Sequence, residues 1–153
     1  MGLDTSFGKA FAKSQIATGV KIPRKGRIFI SVKDSDKPLI YGISKKLINL
    51  GFKIICTKGT SEFLSKRNLK VSQVNKVREG RPHIVDLIKN NQIDIIFNTT
   101  EGNQSIADSF SLRQAALFSN IPYYTTISGC NAVVLAIETI KFGYLDIKSL
   151  QSY

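Results

Sequence analysis

The chain has 153 residues, enough for one domain with its own core. Hydrophobic residues make up 42% and charged residues 22%, ordinary values for a globular protein. The longest apolar runs, such as Ala132 to Ile137, are too short to span a bilayer, and Asp4, Lys9 and Lys13 interrupt the apolar core a signal peptide would need. No membrane association is expected. Lys and Arg number 22 against 11 Asp and Glu, a formal charge of +11. The basic residues are scattered along the sequence, without aromatic interleaving or a helix-turn-helix pattern, so nucleic acid is not the expected partner. A small phosphorylated ligand or an acidic protein surface suits the charge as well. Cys56 and Cys130 both sit in apolar settings. They read as small buried residues in a reducing compartment, the cytoplasm, and not as a disulfide framework or a zinc site.

In chain order, Thr5 or Ser6 can cap a first helix running to about Ala17, and residues 18–26 form a Gly- and Pro-containing linker. Residues 1–26 therefore look like an appendage with little to bury against, as expected of a piece cut from a longer chain, and residues 27–153 form the domain. Ile28 to Val32 is the first strand. Ser35 or Asp36 caps the next helix, Pro38 fits its first turn, and Gly51 ends it. Phe52 to Cys56 is the second strand, Val71 to Val74 the third, Ile93 to Phe97 the fourth and Tyr123 to Ile127 the fifth. Between and after them lie helices over about 61–67, 84–89, 106–118 and 131–142. Continuous apolar strands alternating with helices predict a parallel sheet covered on both faces.

The segment Ile54 to Thr60 organises this reading. A strand stopping in a glycine turn and entering a helix aims backbone N–H groups at one point, and Thr57 and Thr60 add hydroxyls on either side of Gly59. Other polar residues gather at the carboxyl ends of the strands, where open α/β sheets bind ligands. Strand one gives Ser31, with Lys37 beyond it; strand three leads to Lys76; strand four gives Asn98, Thr99 and Thr100. Hydroxyls, amides and lysines suit a phosphate, and Asn98 suits a base or ribose edge. Catalytic constellations are thin. His83 is the only histidine and sits where a helix cap belongs. There is no G-x-S-x-G elbow and no phosphate-binding G-x-x-x-x-G-K-[ST] loop. Asp34, Asp36, Glu79, Glu101 and Asp108 fall near the strand ends, and helix caps and solvated loops account for most of them. No catalytic or metal-ligating residue is assigned.

Residues 75–86 (NKVREGRPHIVD) resemble the signature loop of the C-terminal regulatory domain of carbamoyl phosphate synthetase, large subunit. The segments 31–37 (SVKDSDK), 57–60 (TKGT), 98–102 (NTTEG), 121–126 (IPYYTT) and 5–13 (TSFGKAFAK) are similar to that family in the same order. The resemblance implies a three-layer, methylglyoxal-synthase-like fold with five parallel strands in the order 3-2-1-4-5. It implies a site for a nucleoside monophosphate effector such as UMP or IMP, with Lys37, Thr57, Thr60 and Lys76 on the phosphate and Ser31, Asn98, Thr99 and Thr100 lining the rest. Thr125 would face an ornithine site shared with a neighbouring domain. The implied partners are the remainder of the large subunit and its glutaminase small subunit; the parent would use ATP with Mg or Mn, and this segment would hold no cofactor. Relatives often carry a basic residue after the NTTEG segment and paired arginines in the next helix, where this chain has Asn103, Gln104 and a single Arg113 beside Gln114. The enzymatic alternative on the same fold is a stand-alone methylglyoxal synthase acting on dihydroxyacetone phosphate, but its catalytic aspartate would fall at Arg81.

Overall fold

The computed structural model describes residues 1–101 and 103–152, without the side chains of residues 103–105 and 108. Five strands, β1 (Arg27–Ser31), β2 (Lys53–Cys56), β3 (Val71–Gln73), β4 (Ile95–Asn98) and β5 (Tyr123–Tyr124), form one sheet of order β3-β2-β1-β4-β5. Every pairing is parallel, with Ile30 opposite Cys56 and Ser31 opposite Asn98. The fold class is the one expected from the sequence, and the strand order is the one the resemblance implies.

Side-chain alternation divides the strands between two cores. Ile28, Ile30, Ile95 and Phe97 point into a larger core closed by α2 (Lys37–Asn49), α3 (Lys58–Ser65) and α6 (Ile127–Phe142). Phe29 and Ile96 point the other way, into a smaller core closed by α4 (Ile84–Lys89) and α5 (Asn103–Phe118). Residues with positive φ follow several of the helices, among them Gly51 at 89° after α2 and Asn68 at 62° after α3.

Several boundaries differ from the sequence expectation. Helix α3 begins at Lys58, so Gly59 lies in its first turn in ordinary helical conformation and no glycine turn separates strand from helix. Strand β4 extends through Asn98, whereas β5 stops at Tyr124. The latter is short because the Thr126 hydroxyl accepts from Gly129 N–H at 3.1 Å and opens α6 three residues after the strand.

The largest correction concerns α1 (Phe7–Ala17), capped by Ser6, whose hydroxyl accepts from Lys9 N–H. It does not lack a surface to bury against, because it packs on α6. Ala12 is fully buried, and a Cβ on Gly8 would come within 2.9 Å of the Leu135 carbonyl oxygen. Tyr124 donates from its hydroxyl to Gln15 Oε1 at 3.1 Å, tying α1 to the last strand. The small residues at 8 and 12 let two helix backbones approach, a spacing of four on one face.

Candidate functional site

The carboxyl ends of β1, β2 and β4 converge on a cavity of about 420 Å³, within the size range of small-molecule pockets. Ser31, Thr57, Lys76, Asn98, Thr99 and Thr100 all line it. Sequence positions far apart meet here because parallel strands all end at the same edge and their following loops start there. The floor is apolar, built from Phe29, Ile84 and Leu112, which are also members of the smaller core.

The polar groups are held by one another. The Thr57 hydroxyl does not cap α3; it donates to Ser31 Oγ at 3.2 Å, joining β1 to the start of α3. Thr99 takes part twice: its N–H donates to the Ser31 carbonyl at 3.0 Å, and its hydroxyl accepts from Lys33 N–H at 3.1 Å. Asn98 donates from Nδ2 to Ser109 Oγ at 3.0 Å and to the Tyr123 hydroxyl. These bonds fix the side chains before any ligand arrives, and a preorganised polar site does not have to be ordered on binding.

Two of the residues expected on a phosphate do not line the cavity. Thr60 is buried, and its hydroxyl oxygen accepts from the N–H of the lining residue Val32 at 3.4 Å. Lys37 lies alongside, with its ammonium 2.6 Å from Asp34 Oδ1 and 3.4 Å from where a Cβ on Gly59 would stand. The hydrogen bond from Lys37 holds the Asp34 carboxyl below the usual carboxylate range. Thr125 is exposed between β5 and α6, outside the lining. Arg113 and Gln114 are exposed on α5, and the Arg113 guanidinium lies 5.9 Å above the Tyr123 ring. The Asn103 and Gln104 side chains lie outside the described residues, as does Gly102.

Three charged lining residues escaped the sequence reading: Lys33, Asp34 and Glu101. Lys33 Nζ lies 4.0 Å from Glu101 Oε2 across the mouth. A signal for Lys33 was present, since residues two apart in extended backbone share a face, and Ser31 and Lys33 are two apart. Asp34 and Glu101 were given to caps and loops, yet both border the cavity. His83, by contrast, is a helix cap: its N–H donates to Asp86 Oδ2 at 3.0 Å at the start of α4. Arg81 is exposed and points outside the lining. Among the described residues there is no cluster of three or more His, Cys, Asp or Glu suited to a metal ion, and no helix is long and apolar enough to cross a membrane.

A doubly wound parallel sheet with a polar cavity at its carboxyl edge is the architecture of small-ligand modules, and the comparison with known families is more specific. The model of the MGS-like domain matches residues 40–125, and the chain belongs to that family. Over all 153 residues it is 50% identical to the carbamoyl phosphate synthase large chain of Mesorhizobium japonicum and 47% identical to that of Rhizobium meliloti. It is 42% identical to that of Methanobrevibacter smithii, again over 153 residues. The chain spans only 13% to 14% of the length of these relatives.

Proposed function

We propose that the chain is the effector-binding module of a carbamoyl phosphate synthase large chain, and that the cavity at the ends of β1, β2 and β4 takes a nucleoside monophosphate such as UMP or IMP. The observation that carries this reading is the single cavity uniting the Ser31–Thr57 hydroxyl pair, the Lys76 ammonium and an apolar floor under Asn98, Thr99 and Thr100. The phosphate is assigned to Thr57, Lys76 and the amides opening α3, where hydroxyls, positive charge and the helix dipole act on one anion. Thr60 contributes by fixing Val32, and Lys37 contributes once it exchanges Asp34 for the phosphate. Base and ribose lie over Phe29 and Leu112 against the Asn98 amide. Bound nucleotide shifts the parent between two conformations by binding one more tightly than the other.

In this reading the partners are the remainder of the large chain and the glutaminase small subunit, in the cytoplasm. Ornithine binds at the border with the neighbouring domain, near Thr125. ATP with Mg or Mn serves the chemistry elsewhere in the parent, and no step of that chemistry is assigned to residues of this chain. Turnover of dihydroxyacetone phosphate is not expected, because Arg81 stands where that enzyme would need an aspartate base.

Isothermal titration of the chain with UMP, IMP and uridine tests the reading. One nucleotide should bind at one site per chain, and uridine, lacking the phosphate, should lose most of the affinity. Absence of binding by both nucleotides, or uridine binding as tightly as UMP, would overturn it.

A further inference from the structure

The cavity is nearly neutral, although the chain as a whole carries a charge of +11. Its lining residues include two lysines, Lys33 and Lys76, and two acids, Asp34 and Glu101. These cancel, and the adjacent Lys37 leaves one positive charge in surplus. Lys33 faces Glu101 at 4.0 Å and Lys37 holds Asp34 at 2.6 Å, whereas among the described residues no ion pair engages Lys76. Depth also separates the groups. Thr57, Asn98 and Thr99 are buried, but the Glu101 side chain is 72% exposed and that of Asp34 94% exposed, so both carboxylates stand at the rim.

We propose that Asp34 and Glu101 form a charge filter at the mouth of the cavity, admitting a nucleoside monophosphate and disfavouring di- and triphosphates. This inference rests on the nucleotide reading above and adds which ligands of that class the site selects. A phosphate monoester beside Lys76 is matched by the surplus charge and the inner hydroxyls. Each further phosphoryl group adds negative charge with no counterpart in the lining and extends the chain of phosphates toward the rim. There it meets two carboxylates, and like charges brought together oppose binding. The same two carboxylates occupy Lys33 and Lys37, so neutralising either one removes a repulsion and releases a lysine at once. Solvent screens rim charges, which keeps each effect moderate.

The test is titration of UMP, UDP and UTP, without divalent cations and at equal ionic strength, into the wild type, Glu101→Gln, Asp34→Asn and the double variant. Wild type should bind UMP roughly ten-fold or more tightly than UTP. Each substitution should raise UTP affinity by about three- to five-fold, the scale of one exposed charge pair, while moving UMP less. The double variant should close most of the gap. If wild type binds UTP as tightly as UMP, or if the UMP-to-UTP ratio is the same in all four proteins, the filter is overturned while the nucleotide site stands. If none of the nucleotides binds wild type, the site itself is overturned and the filter falls with it.

Discussion

The two helical layers of this fold use their apolar residues differently. On the α2–α3–α6 side, Val32 alone among the buried core residues lines the cavity. On the α4–α5 side Phe29, Ile84 and Leu112 serve both as core and as cavity floor, so part of each side chain borders open space instead of neighbouring atoms. The larger core also gains α1, laid against α6. The larger core thus lies on one face of the sheet, and the core residues that line the cavity lie mostly on the other. The strands between them belong to both layers, because alternate residues of β1 and β4 lie in opposite cores.

Matched truncations put this comparison to its strongest test. Leu47 is fully buried in the larger core, and Leu47→Ala should cost about 2–5 kcal/mol by urea unfolding, without changing nucleotide affinity in the folded protein. Leu112→Ala should cost less, toward about 2 kcal/mol, because a side chain that borders a cavity has fewer contacts to lose. It should weaken nucleotide binding as well. Equal costs for the two, with binding unaffected in both, would remove the distinction between the layers.

A finer cut separates two threonines three residues apart. Thr60→Ala removes the acceptor for the buried Val32 N–H and should cost roughly 1–3 kcal/mol of stability. Lys76→Ala should leave stability within about 0.5 kcal/mol and Thr57→Ala should cost about 1 kcal/mol, the net worth of its one hydrogen bond to Ser31, but each should weaken nucleotide binding by roughly ten-fold. The Lys76 effect should shrink as salt rises. Should Thr60→Ala prove neutral for stability, its hydroxyl has no structural share and the buried placement is without consequence.

These contrasts also mark what the sequence alone could supply. Sheet direction was legible, because short apolar strands such as 28–30 and 95–97 alternate with capped helices, whereas the strand order came only from the family resemblance. Most of the site was legible as well, because strand ends in a parallel sheet share one edge: Ser31, Thr57, Lys76 and residues 98–100 line the cavity. What was not legible depended on choices that local chemistry leaves open. A threonine after a strand can cap a helix or turn to a neighbour, and Thr57 turned to Ser31. A charged residue in a loop can face solvent or a cavity, and nothing within the sequence decides this for Asp34 or Glu101. The docking of α1 was missed because its partner α6 lies more than a hundred residues later, and only the tertiary fold brings Gly8 against Leu135.

Thiol chemistry reads the solidity of the larger core directly. Burial pushes the thiols of Cys56 and Cys130 up to about 12, so both remain protonated and shielded at neutral pH. A water-soluble disulfide reagent at pH 8 should leave the native chain unmodified and label both cysteines after denaturation. Raised acid pKa values also set a sign for stability. The contribution is complete below the ordinary thiol value of 9.0 and is lost as pH rises toward about 12, because only the unfolded chain can ionise these groups there. Rapid native labelling would show that this side of the sheet opens more readily than its packing implies.

The smallest expected effect lies at the outer edge of that same side, where α1 carries the N-terminal residues. Lys13 Nζ sits 2.7 Å from Asp4 Oδ2 and also donates to the Leu3 carbonyl at 3.2 Å, pinning the first turn of chain back onto the helix. The hydrogen bond from Lys13 lowers the Asp4 carboxyl to about 2 from its ordinary 3.8. A depressed carboxylate stabilises the folded state above its unfolded pKa, and that contribution is lost as pH falls from 3.8 toward about 2. Asp4→Asn should therefore speed amide exchange in α1 at neutral pH, with no matching change in β1 or β4, and the difference from wild type should vanish near pH 2. If exchange in α1 alone responds, the pair anchors only the outermost helix of the larger layer. If protection in β1 falls as well, α1 and the sheet unfold as one unit, and the tether at Asp4 contributes to the whole larger core.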